Sequence, residues 1–294
     1  MQEFYQAIQG WHNPFWDGFF IMLSFLGSEP AYIFLFAALF WNIDKRFGFR
    51  LAVLFLFSMA MNSWLKDVFH FTRPIGQKGI RSLYLSSATG YSFPSGHSQA
   101  AATLYPYLLA HWKALKWKIL GMFMLLGIGF SRLYLGVHWP GDVLGGYALG
   151  GILVLGFIQI DRRLFKIPFS LPLKLGLSLA LPLLALLVYH TRLGFEMGGF
   201  VIGFTSGYFL EDSYLDYREQ TKFFPSLFKT LLGLVALLVW VVPWRPLTHQ
   251  YIALNLPVYI LAGLWTSFGA PLVFRRFGWE KKEPHDASTH TKTT

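Results

Sequence analysis

The sequence predicts an all-α fold, a polytopic transmembrane helix bundle, and three observations carry that prediction. Of the 294 residues, 54% are hydrophobic and only 14% charged, with a mean hydropathy of +0.43, beyond the range of a soluble globular domain. Apolar runs close to the roughly 20 residues that cross a hydrocarbon core recur along the chain. Short polar connections carrying Pro or Gly separate them, so the apolar runs read as successive spanning helices.

Taken in order, residues 1–27 place Phe4, Ile8, Trp11, Phe15 and Phe19 at helical spacing but also hold Glu3 and Asp17, which predicts a segment lying in the membrane interface. Met1 to Gly10 lacks the basic and apolar regions of a cleavable signal peptide. A helix start follows at Ser28-Glu29-Pro30, with Ser28 as cap and Pro30 in the first turn. The first span then covers Ala31 to Trp41 and the second about 50–66. A polar stretch, 67–92, precedes spans at about 94–110, 118–136 and 142–160, and four more apolar runs occupy 170–189, 194–210, 226–243 and 250–272.

The formal charge of +10 raises the question of nucleic acid, but the cations sit in small clusters between apolar runs, not on one face. They report topology. Lys45, Arg46, Arg50, Lys113, Lys116, Lys118, Arg162, Arg163, Lys166, Arg218, Lys222, Arg275, Arg276, Lys281 and Lys282 fall on one side, which the excess of positive charge marks as cytoplasmic. Lys66, Arg73, Lys78, Arg81, Arg132, Arg192 and Arg245 fall on the other. With no cysteine, disulfides, thiolate metal sites and cysteine nucleophiles are excluded.

Three short pieces converge on the outer side: Lys66 with Arg73-Pro74, Pro94-Ser95-Gly96-His97, and Ser131-Arg132 with His138 and Asp142. Unpaired cations at membrane-helix ends are costly, so Lys66, Arg73 and Arg132 imply a concentrated anion, of which phosphate is the simplest. Ser95 and Gly96 stand where an apolar helix begins, a position that aims backbone N–H groups at the same anion, and the Ser95 hydroxyl is a further candidate donor. Removing a phosphoryl group needs a nucleophile and an acid for the leaving oxygen. Asp142, four residues after His138, is placed to accept one ring N–H and leave the other nitrogen free to attack. His138 is therefore the expected nucleophile and His97 the expected general acid. The cations and amides neutralise the phosphoryl oxygens, so no metal and no cofactor is expected.

These residues resemble the signature of the type 2 phosphatidic acid phosphatase family, the lipid phosphate phosphatases: Lys66, six residues, Arg73-Pro74; Pro94-Ser95-Gly96-His97; and Ser131-Arg132, five residues, His138, three residues, Asp142. The resemblance covers about residues 30–160. It implies a six-helix core with its site at the outer leaflet, a metal-independent mechanism with His138 as nucleophile, and substrates such as phosphatidate, phosphatidylglycerophosphate or isoprenoid diphosphates, the last being the first choice by analogy alone. On this footing residues 1–27 are an interfacial segment, 28–190 the phosphatase core, 191–280 about three additional spans, and 281–294, rich in Thr, Lys and His, a disordered tail. The expected partners are a lipid phosphate or diphosphate and the membrane, with no nucleic acid. The expected location is the plasma (inner) membrane, with the site on its extracytoplasmic side.

Several residues have plainer readings. Lys78, Arg81 and His70 read as solvated or headgroup-contacting, Tyr134 and Trp139 as interfacial anchors, and Glu211, Asp212, Asp216 and Glu219 as a solvated acidic loop. Gly199, Gly203 and Gly207 form a small-residue series for close helix contact within the chain, and Gly145, Gly146, Gly150 and Gly151 read likewise. Two other activities fit the same sequence: a phosphotransferase passing the phosphoryl group to another hydroxyl, and a lipid transporter. The second would have to use the C-terminal helices, because the charges lie at the outer boundary and not at the midplane.

Overall fold

The computed structural model describes residues 1–164, 167–219 and 222–280, and no strand forms among them. Helices α1 (Gln2–Gln9), α2 (Pro14–Leu26), α3 (Glu29–Asn42), α4 (Lys45–Phe69), α5 (Gly96–His111), α6 (Leu115–Tyr134) and α7 (Pro140–Leu164) lead into α8 (Leu171–Val188), α9 (Arg192–Tyr214) and α10 (Phe223–Gln250). A last run comprises α11 (Asn255–Leu264), a π-turn at Trp265–Gly269 and α12 (Ala270–Arg276). Among the described residues α4, α7, α8, α10 and the run Ile252–Arg276 are long and apolar enough to span a membrane, and α2 with α3, bent by 50° at their junction, makes a sixth candidate. The expected tail at 281–294 lies outside the described residues.

Helix ends follow local chemistry. Helix α4 starts five residues earlier than its apolar run, because the Asp44 carboxylate accepts from the Phe47 amide at 2.8 Å and caps it. It stops at His70, whose left-handed backbone (φ 54°) closes the last turn with an N–H bond to the Lys66 carbonyl.

Three apolar clusters assemble the bundle. The first joins α3, α4, α5 and α7 through Leu39, Leu51, Leu54, Leu104 and Val154. A second ties α9 and α12 to α3 and α4, with the Phe49 and Tyr208 rings stacked at 3.8 Å and Trp41 donating its indole N–H to the Thr266 carbonyl. The third packs α2 on α6 through Phe20, Leu23 and Tyr134. Helix α8 packs on α9, so the run at 171–188 lies with the C-terminal helices. Tyr134 is fully buried, with its hydroxyl donating to Asp17 at 2.7 Å, so it is a core residue and not an interfacial anchor.

Close helix approach depends on glycine at two places. A Cβ on Gly203 would overlap the Ile260 carbonyl oxygen, which is how α9 lies against α11 in the same chain. At Gly146 a Cβ would meet the Ser95 carbonyl oxygen at 2.6 Å, so glycine there lets α7 lie against the start of α5. Gly151, read with the same group, faces open space.

Two charged residues correct the plainer readings. Glu211 is fully buried and paired with Lys45 at 3.0 Å, where it joins α9 to the start of α4; it is not part of a solvated loop. Arg81 makes a bidentate pair with Asp17, both bonds 2.7 Å, and so ties the 70–95 loop to α2.

Candidate active site

The site is built where α4, α5, α6 and α7 end on one face of the bundle. His138 lies in the short connection between α6 and α7, only 1% exposed, and Pro140 starts the helix that carries Asp142 into its first turn. The Asp142 Oδ2 atom lies 3.3 Å from His138 Nδ1 and accepts from the Trp139 amide at 2.7 Å. On the far side of the ring, Arg73 Nη1 is 2.8 Å from His138 Nε2. A guanidinium only donates, so Nε2 accepts and holds the lone pair, while Nδ1 carries the proton that faces Asp142. Burial and the neighbouring charges of Arg73, Arg132 and Lys66 hold the His138 imidazole well below its ordinary pKa, so the ring is neutral at neutral pH.

Loop carbonyls hold the cations. Arg73 donates to Thr89, Gly90, Tyr91 and Val137 at 2.7 to 3.1 Å, and Lys66 Nζ donates to Tyr91 at 2.5 Å. Arg132, fully buried at the end of α6, donates to the hydroxyls of Ser24 and Ser87 and to the Ser87 carbonyl. Among the described residues none of these three cations is paired with a carboxylate, which leaves their charge for a ligand.

Two buried polar atoms beside these cations are unpartnered. Arg132 Nε and His97 Nε2 have no hydrogen-bond partner, and His97 lies within electrostatic reach of Arg132, His138, Arg73 and Lys66. The amides of Gly96 and His97, first in α5, are likewise without partners among the described residues, as the first turn of a helix requires. The Ser95 amide bonds the Asp142 carbonyl at 2.9 Å and its hydroxyl oxygen caps α5, accepting from the Ser98 hydroxyl at 2.9 Å and more weakly from the Ser98 amide at 3.4 Å. Ser95 thus holds the start of α5 and joins it to α7, and its hydroxyl hydrogen, not used in these bonds, stays available to a ligand.

His138, Asp142, His97, Lys66, Arg73, Gly96 and Arg132 are therefore brought together. His70 and Lys78 stand outside this group: His70 is exposed and packs edge-on to the Tyr91 ring, 4.4 Å away. Four contributors lie outside the sequence motifs. Ser92, fully buried, donates a short hydrogen bond to Asp142 Oδ2 and lies 3.4 Å from His138 Nδ1. Asn62 donates to the Pro94 carbonyl and to Gln99, at 3.2 and 2.7 Å, bracing the start of α5 on α4. Asn62, one turn before Lys66 on α4, and Ser92, two residues before Pro94, stand near the motifs in sequence, whereas Tyr5 and Ser24 reach the site from helices remote in sequence and no spacing rule connects them to the motifs.

Comparison with known proteins shows the family. Residues 47–166 match the model of the PAP2 superfamily, and residues 195–282 that of the PAP2 superfamily phosphatase, transmembrane extension. An undecaprenyl-diphosphatase of Sulfolobus acidocaldarius is 31% identical over 146 residues, covering 49% of this chain and 70% of that protein. Phosphatidylglycerophosphatase B of Bacillus subtilis is 31% identical over 172 residues, 53% of this chain and 79% of the relative. The crystal structure of Aquifex aeolicus LpxE aligns over 53% of this chain and 93% of its own, with 28% identity and a TM-score of 0.48. Lysine, arginine and histidine motifs at the ends of four packed helices, together with the matched segments, make this chain a membrane protein of the PAP2 superfamily that carries the superfamily's transmembrane phosphatase extension.

Proposed function

We propose that the chain is a metal-independent phosphatase that removes the terminal phosphate of a lipid phosphate or diphosphate through a phosphohistidine on His138. The observation that carries this reading is the orientation of one ring: Nδ1 faces Asp142, and the Nε2 lone pair faces the same space as the Arg73 guanidinium. Phosphoryl oxygens entering that space take the Arg73 donors, and phosphorus then faces Nε2. The free edge of Arg132, Lys66 and the amides of Gly96 and His97 hold the remaining oxygens.

In the first step His138 Nε2 attacks phosphorus and the bond to the lipid oxygen breaks. The bonding pair leaves with that oxygen, and His97 supplies its proton. In the second step His97 takes a proton from water as the water oxygen attacks phosphorus, the P–N bond breaks, and inorganic phosphate leaves with neutral His138. Asp142 stabilises the positive charge that the ring acquires when it bonds phosphorus.

The excess of Lys and Arg near the opposite helix ends supports a reaction at the outer leaflet, which we place in the plasma membrane. The names of the two relatives support a polyprenyl diphosphate or phosphatidylglycerophosphate as substrate, with the isoprenoid diphosphate placed first. The test is phosphate release by the purified full chain in detergent with excess chelator, supplied with undecaprenyl diphosphate, phosphatidylglycerophosphate or phosphatidate. Release that persists under chelation is expected. Activity that depends on added metal would overturn the mechanism, and phosphate appearing only on a supplied acceptor would make the protein a transferase.

The lowered pKa of His138 gives a second expectation. The neutral ring is the nucleophile, so the acid limb of kcat/KM should lie at a value below 6.5, while the alkaline limb belongs to His97, which has to carry the proton it gives to the leaving oxygen. Lys66→Met removes one of the cations that disfavour the imidazolium, so the acid limb should move to higher pH as the rate falls. A limb that stays in place in that variant would mean another group sets it.

A further inference from the structure

Residues 1–46 lie outside the segment matched to the superfamily model, yet the first two helices reach the site at three points. Tyr5 of α1, fully buried, donates from its hydroxyl to the His138 carbonyl at 2.6 Å. Ser24 of α2, also fully buried, accepts from Arg132 Nη1. Gly27, one turn further along α2, lies beside the His97 ring, where a Cβ would come within 3.4 Å of Cδ2.

The Arg132 guanidinium is the group whose orientation α2 decides. It is fully buried, has no carboxylate partner among the described residues, and leaves Nε without a hydrogen bond. A planar fork without an anionic partner is fixed only by the neutral oxygens it touches. Ser87 supplies two of these, its hydroxyl at 2.9 Å and its carbonyl at 3.1 Å. That hydroxyl gives its own hydrogen to the Tyr84 carbonyl at 2.7 Å and so presents a lone pair to Arg132. Ser24 supplies the third oxygen, from a separate element.

We propose that Ser24 is a positioning residue for the phosphate-binding Arg132, and that α2 is thereby a working wall of the active site. The hydroxyls of Ser24 and Ser87 hold Nη1 between them, which turns the unpartnered Nε edge toward His97 and the phosphate. Helix α2 is itself held to the loop and to α6 through Asp17, which accepts from Arg81 and Tyr134, so the Ser24 oxygen is set by the fold and not by a mobile side chain. This inference rests on the proposed phosphate-binding role of Arg132.

The test is a double-mutant cycle on the purified full chain, with kcat, KM and the inhibition constant of inorganic phosphate measured for Ser24→Ala, Arg132→Lys and the pair. Ser24→Ala should lower kcat/KM by about 10- to 100-fold, the range for loss of a hydrogen bond to a charged group, and weaken phosphate inhibition. In the Arg132→Lys background the same change should add less than about 2-fold, because the fork that Ser24 orients is gone. Equal losses in the two backgrounds, or a loss below about 2-fold in the parent, would overturn the proposal.

Ser24→Thr separates positioning from packing. It keeps the hydroxyl but adds a methyl group at a fully buried position, so it should be the more active of the two variants if the hydroxyl matters and the less active if Ser24 only fills space. If Arg132→Lys retains parental kcat/KM, the phosphate-binding reading of Arg132 fails; if Arg132→Lys is impaired and Ser24→Ala is not, this inference alone falls.

Discussion

His138→Ala should abolish phosphate release, lowering kcat on the order of 10⁵-fold or more, the scale seen when a covalent nucleophile is removed from a site that acts as a unit. The ring contributes in three ways: the Nε2 lone pair, the proton shared with Asp142, and the hydrogen bond accepted from Arg73. Alanine removes all of them while leaving the Tyr5 bond intact, because that bond is made to the backbone carbonyl of residue 138. The variant should therefore fold and melt like the parent, and a melting comparison in detergent checks this. Rapid quench of the parent with labelled substrate should trap a phosphorylated protein that is stable to base and labile to acid. The variant should give none. Substantial turnover in a folded His138→Ala protein would exclude the phosphohistidine.

Arg73→Lys should be nearly as informative and almost as damaging, with kcat/KM falling on the order of 10²- to 10³-fold. The charge is retained, so electrostatics alone would predict a mild effect. The geometry predicts otherwise. Arg73 bonds four loop carbonyls and His138 Nε2 through Nε and both terminal nitrogens, whereas an ammonium has three donors on a flexible stem. Lysine at this position cannot both tether the 89–91 segment and present a bidentate face to phosphate. A KM rise with kcat preserved would show that Arg73 only binds substrate; a fall in kcat would show that its fork matches the transition state.

The Arg73–His138 contact also bears on catalysis. In the proposed mechanism the guanidinium that covers Nε2 keeps it from phosphorus, so productive binding has to move the arginine from nitrogen to phosphoryl oxygen. Phosphate makes the more favourable partner for the fork, because a charge-assisted bidentate pair exceeds a bond to a neutral ring nitrogen.

Much of this was legible in the sequence. Apolar runs of spanning length predicted the helices from α3 to α12, and the errors were at the ends, where a single capping carboxylate at Asp44 moved the start of α4 by five residues. The grouping of Lys66, Arg73, His97, Arg132, His138 and Asp142 was legible because each is tied by short spacing to a helix end, and helix ends on one side of a bilayer must lie at similar depth. The role of Glu211 was not. An acidic residue at a helix end reads as solvated until its buried partner, Lys45, is brought to it from far along the chain.

The sequence by itself determined the class of the protein, the helix order and the chemical groups that meet at the candidate site, since hydropathy and local spacing are properties of consecutive residues. Only the tertiary structure decided which ring nitrogen of His138 carries the lone pair, that Ser92 shares the Asp142 oxygen, and that Tyr5 and Ser24 close the site from the first two helices. Each of these is a contact between segments 45 or more residues apart. Such contacts are fixed by the packing of helix faces, here α2 on α6 and α5 on α7, and no local pattern in the chain encodes them.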